Sequence, residues 1–167
     1  MIGIQLHNKR IRDEEEEGRR KLKRRSSAHS AQTPVHDFTL KAYINQHDIV
    51  DLQLSQILVD FQCVVLFCYA HDFTPQAQQD LRLIEECVET LINLQAAPLA
   101  MSTDHPHVHR AFANFPSGLQ FTPRFPMVSD SVRLVSSHLG ILDHEQGCAK
   151  RYIQVMKSSR SKGLKCD

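Results

Sequence analysis

At 167 residues, with 41% hydrophobic and 23% charged side chains, the chain has the size and balance of one soluble globular domain with some tail, which excludes a wholly disordered or membrane-embedded protein. No apolar run approaches the roughly 18 residues of a membrane span, and the N-terminus lacks the apolar stretch of a secretory signal, so an intracellular protein of the nucleus, the cytoplasm or both is expected. The formal net charge of +1 is unevenly spread: residues 1–30 hold nine Lys or Arg against five acids, and the remainder is net acidic.

Residues 1–32 read as a basic tail. Charge blocks mixed with Ser26, Ser27 and Ser30 leave too little apolar surface to offset the entropy of ordering. Lys9, Arg10 and Arg12, followed by Arg19, Arg20, Lys21, Lys23, Arg24 and Arg25, have the two-cluster layout of a nuclear-import signal, with an importin as the partner this implies. The intervening Glu14 to Glu17 would repel phosphate and argue against direct nucleic-acid binding.

The folded domain is expected over residues 33–167. A short apolar segment at Phe38–Ala42 and a pairing segment at Asp48–Leu52 precede Cys63–Tyr69, a β-branched and aromatic run that reads as a central strand. Pro75 can open a helix, and Leu81, Ile84, Val88 and Leu91 recur at helical spacing behind it. Ala97–Met101 is a second apolar strand, and His105–Phe115 a helix candidate. Pro126–Val128 then offers a strand edge, Ser131–Leu139 a short helix ended by Gly140, and Arg151–Met156 a last strand. Strand, helix and strand in this order imply a parallel crossover in an α/β sheet.

Five cysteines, Cys63, Cys68, Cys87, Cys148 and Cys166, form no C-x-x-C pair, and reduced thiols are the default. Cys63, Cys68 and Cys87 read as small buried hydrophobes and Cys166 as exposed. His105, His107 and His109 alternate, and alternate positions do not share a helix face. They read as surface histidines rather than a metal site.

The stretch Val64-Val-Leu-Phe-Cys-Tyr-Ala-His-Asp-Phe-Thr-Pro-Gln-Ala77 resembles the strand-to-helix junction of the peroxiredoxins, which carries Pro-x-x-x-Thr-x-x-Cys. Pro34-x-x-Asp37-Phe38, Leu99-x-x-Ser102-x-Asp104, Phe125–Arg133 with Leu139–Leu142, and Gly147–Val155 are similar to further family blocks in order and spacing. The resemblance covers roughly Pro34 to Leu164 and implies an α/β, thioredoxin-like fold of the peroxiredoxin type, a central mixed sheet flanked by helices. It also implies that the chain stops before the family's final helix.

Laid on this sequence, the family's proline falls on Ala70, its threonine on Thr74, its peroxidatic cysteine on Ala77 and its active-site arginine on Arg133. Arg151 falls where many members carry a second arginine. Peroxide reduction needs a thiolate, which the methyl group of Ala77 cannot supply. The resemblance therefore implies a vestigial pocket of Thr74, Ala77 and Arg133, with no catalytic residue, cofactor or metal, in a protein that acts by binding. A homodimer or a heterodimer with an active peroxiredoxin is the implied assembly. The alternatives are a thiol peroxidase of redox homeostasis using another cysteine, and a degenerate gene product without a selected role. Thr74 as a helix cap and Arg133 as an acid's partner would look the same in sequence.

Overall fold

The computed structural model describes residues 37–45 and 47–157. The basic clusters from Lys9 to Arg25, Pro34, and Cys166 lie outside the described residues.

Among the described residues, eight strands and four helices follow in the order β1 Thr39–Ile44, β2 Asp48–Gln53, α1 Leu54–Asp60, β3 Cys63–Cys68, α2 Pro75–Asn93, β4 Ala96–Ser102, α3 Pro106–Asn114, β5 Met127–Ser129, α4 Leu134–His138, β6 Leu142–Asp143, β7 Cys148–Ala149 and β8 Tyr152–Lys157. Six strands make one sheet in the order β2-β1-β5-β4-β3-β8, and β6 pairs with β7 apart from it. The sheet is mixed. β3, β4 and β5 run parallel through the crossovers of α2 and α3, whereas β1 and β8 join them antiparallel. The expected strand edge at Pro126–Val128 is an interior strand, paired on both sides.

Side-chain alternation divides the core between the two sheet faces. Val64, Leu66, Leu99 and Met101 point to one face, with Leu54 of α1 and Val135 of α4. Ala100 and Met127 point to the other, with Leu81, Ile84 and Val88 of α2 and Phe112 of α3. β4 is buried at all seven positions because it has neighbours on both edges and helices over both faces. Pro98, which has no N–H, sits in β4 before its pairing with β5 begins at Ala100, so its missing donor leaves no gap in that ladder.

α2 forms where the apolar spacing demands it. Thr74 caps it, Pro75 opens it, and Ala77, Leu81, Ile84 and Val88 form its buried stripe. Two segments depart from the sequence expectation. α1 was not foreseen, because seven residues span only two turns and its Leu54, Ile57 and Leu58 become a face only against the sheet. The helix expected over Ser131–Leu139 shrinks to Leu134–His138, because the buried Asp130 carboxylate accepts from the backbone N–H of Val135 (3.1 Å) and of Ser136 (2.7 Å) and so starts the helix there. Gly140, at φ +66°, ends it in the left-handed conformation that glycine adopts without penalty.

Candidate functional site

The end of β3 and the start of α2 are joined by the turn His71–Thr74. Thr74 Oγ1 accepts from the Ala77 backbone N–H at 3.1 Å and donates to the His71 carbonyl at 3.0 Å, so its hydroxyl is committed to the cap. Ala77 is buried beneath it. One turn further on, the Asp80 carboxylate receives Arg151 through two bonds of 2.8 and 2.7 Å, a bidentate pair that ties α2 to the start of β8.

Arg133 is exposed, at φ +59°, and its Nε donates to the Gly147 carbonyl at 2.7 Å. The acid partner considered for it is replaced by this carbonyl; among the described residues Arg133 has no ion pair. Thr74 and Ala77 are thus in direct contact, while Arg133 is anchored separately, and no hydrogen bond joins it to Thr74 among the described residues.

The thiols differ in setting. Cys68 is buried in β3, and burial, with the nearby Asp130 carboxylate, pushes its pKa up to about 12. Cys148 is buried in β7, next to Gly147. Burial raises its pKa, as do the Asp143 and Asp104 carboxylates, and the Arg133 guanidinium pulls it the other way. This is the thiol that the family's arginine position touches electrostatically, and sequence spacing offered no sign of it. Cys63 is half-buried, whereas Cys87, expected inside, is exposed on α2, because the buried stripe passes through Ile84 and Val88 on either side of it.

The histidines need a larger correction. His105 and His107 are exposed and stack at 5.2 Å between ring centroids, but His109 is fully buried. Its Nδ1 lies 2.7 Å from Oδ2 of Asp72 and its Nε2 3.2 Å from the Val128 carbonyl, while Tyr69 donates to Asp72 Oδ1 at 2.7 Å. Among the described residues no group of three or more His, Cys, Asp or Glu could hold a metal ion, and no helix is long and apolar enough to cross a membrane. A cavity of about 370 Å³ lies away from the Thr74 turn, at the start of β4, between Leu52, Ile57, Phe61, Ile92 and Leu99, with Arg124 held at its rim by Glu85 and Glu89.

The AhpC/TSA family model matches residues 31–160. The chain belongs to the AhpC/TSA family, that of the peroxiredoxins. This AhpC/TSA chain is 28% identical over 120 residues to peroxiredoxin-1 of Gallus gallus, covering 71% of this chain and 59% of that protein. It is 26% identical over 117 residues to the putative peroxiredoxin YkuU of Bacillus subtilis, covering 68% and 64%. It therefore spans about three fifths of the length of these curated relatives. Among solved structures, that of Enterococcus faecalis AhpC superimposes with a TM-score of 0.69 at 23% identity, covering 75% of this chain and 72% of that one. The reduced 2-Cys peroxiredoxin of Plasmodium vivax gives 0.68 at 17% identity, covering 74% and 64%. The expected thioredoxin-like fold of the peroxiredoxin type is the fold observed.

Proposed function

We propose that this AhpC/TSA chain is a peroxiredoxin-like protein without peroxidase turnover, acting by protein binding. The observation that carries the reading is the methyl group of Ala77 on the Thr74-capped first turn of α2, where the family resemblance calls for the nucleophilic sulfur. The dipole at that helix end favours an anion, but no thiol stands there to become one. Ala70, in place of the family's proline, and the carbonyl-bound Arg133 agree with a relaxed requirement.

A partner surface is available at β8, whose outer edge is unpaired among the described residues and whose Tyr152, Ile153 and Val155 are exposed. Unpaired N–H and C=O groups beside apolar side chains favour another strand, so pairing with a second copy or with an active peroxiredoxin is the proposed mode. The basic clusters from Lys9 to Arg25 extend the proposal to an importin and a nuclear location, with cytoplasmic residence as the alternative.

The second reading is a thiol peroxidase working through another cysteine, and the exposed Cys87 is the accessible thiol for it, since burial and the Asp143 and Asp104 carboxylates raise the Cys148 pKa despite Arg133. A peroxide-consumption assay with thioredoxin recycling separates the two. No turnover above the protein-free control is expected. Turnover at a rate typical of the family, lost in Cys87→Ala, would establish the second reading.

A further inference from the structure

The sheet has a gap at the start of β4. β5 is three residues long and pairs with β4 only from Ala100, so Ala96–Leu99 has no strand on that side. Prolines flank the gap, Pro98 in β4 and Pro126 just before β5, and neither has an N–H with which to extend the ladder. The space left over is the cavity of about 370 Å³, with Ile57 and Phe61 on one side and Ile92 and Leu99 among its other walls. Its volume falls in the range of roughly 300–1,000 Å³ that small-ligand pockets occupy. Ala97 and Pro98, which also line it, carry too little side chain to fill it.

The walls are apolar and the rim is charged. α1 and its C-cap present two adjoining rows to the cavity, Ile57 with Phe61 and Gln56 with Asp60, each pair four residues apart and so one helical turn apart. Asp60 is exposed, and neither its carboxylate nor the Gln56 amide has a side-chain hydrogen bond or ion pair among the described residues. No basic residue stands in the last turn of α1, so the Asp60 charge sits at the negative end of the helix with nothing on that turn to offset it. The cation at the rim is already matched. Arg124 meets the Glu85 carboxylate and, at 3.2 Å, that of Glu89, and its Nη2 donates to the Glu85 carbonyl at 3.1 Å. One guanidinium against the carboxylates of Asp60, Glu85 and Glu89 leaves the rim negative, with Asp60 as its open acceptor.

We infer that this cavity is a binding site for a small organic cation, an ammonium group carried on an aliphatic or aromatic body. The body lies between Ile57, Phe61, Ile92 and Leu99, and the ammonium donates to the Asp60 carboxylate and the Gln56 side-chain carbonyl. Burial of the body supplies affinity, and the unmatched carboxylate selects the sign of the charge. An anion of the same shape meets Asp60 and finds Arg124 occupied. The cavity lies away from the Thr74 turn, so binding there needs neither a thiol nor peroxidase turnover.

The test is titration of the ¹⁵N-labelled 167-residue chain with three probes of one shape and different charge: phenylbutylamine, phenylbutanol and phenylbutyrate. The amine should give saturable shifts at the backbone amides of Ile57, Phe61, Ile92 and Leu99. It should bind roughly two- to five-fold more tightly than the alcohol, the range for a solvent-exposed charge contact, and the carboxylate should bind most weakly. Asp60→Asn should bring the amine to the affinity of the alcohol, and Asp60→Lys should make the carboxylate the tighter ligand; both change an exposed side chain and leave the core untouched. Equal affinity for the three probes, shifts centred on other residues, no saturable binding, or an amine preference that survives in Asp60→Asn overturns the inference.

Discussion

Restoring sulfur at the head of α2 asks whether the scaffold still favours an anion there. In Ala77→Cys the new atom enters a site that is 2% exposed, among Tyr69, Leu81 and Phe112. Overpacking a filled core typically costs about 1–3 kcal/mol. At roughly 3–4 °C per kcal/mol for a domain of this size, the variant should melt about 3–12 °C lower. The helix dipole favours a thiolate on the first turn by about 0.3–1 kcal/mol, and by up to ~2 kcal/mol when partly buried. With ~1.4 kcal/mol per pH unit, this lowers the thiol from its free value of about 8.5 to no less than about 7. Mass-spectrometric alkylation with iodoacetamide across a pH series should therefore give a midpoint between roughly 7 and 8.5 for the introduced thiol. The same variant should show peroxide consumption above that of the parent chain. A midpoint above about 9 would refute the reasoning, because burial would then outweigh the helix end, as it does at Cys68.

Thr74→Ala should lower thermal stability by about 1 kcal/mol, read as a fall in Tm, since it removes the side-chain cap that receives the Ala77 N–H. Iodoacetamide at pH 8 should label the exposed Cys87 and leave Cys68, with its pKa near 12, unmodified; equal labelling of both would contradict the assigned burial. Because the folded pKa of Cys68 lies above the ordinary 9.0, its contribution to stability is intact below about 9 and falls as pH rises toward 12. Thermal melts over that range should show a shallower alkaline decline in Cys68→Ala than in the parent. Val155→Lys on the exposed edge of β8 should shift any self-association seen by light scattering toward the monomer with little change in Tm, and an unchanged dimer would remove β8 as the interface.

The parts of the fold legible in the sequence were those whose signal is local. Cys63–Cys68 is a run of β-branched and aromatic residues that suits only a buried strand, and α2 announces itself through Thr74, Pro75 and a stripe from Ala77 to Val88. What escaped was non-local. α1 is too short for its periodicity to stand out, and the interior place of β5 follows from pairing with β1, which lies more than 80 residues earlier. Spacing rules put His109 beside His105 and His107 as a surface residue, because they could not anticipate Asp72 waiting 37 residues away in the turn between β3 and α2.

By itself, then, the sequence determined the chemistry at each position: the α/β alternation, the family resemblance, the capped helix start, and the methyl group where a sulfur was expected. These are properties of a residue and its near neighbours, which propensity and periodicity encode directly. Only the tertiary structure decided which polar groups far apart in the chain meet. It put His109 against Asp72 and Tyr69, tied Arg151 to Asp80, turned Arg133 to a carbonyl instead of an acid, and placed Cys148 within its field. The physical reason is that a buried polar group must find its partner across the packed sheet, and those partners come from strands and helices far apart in the chain.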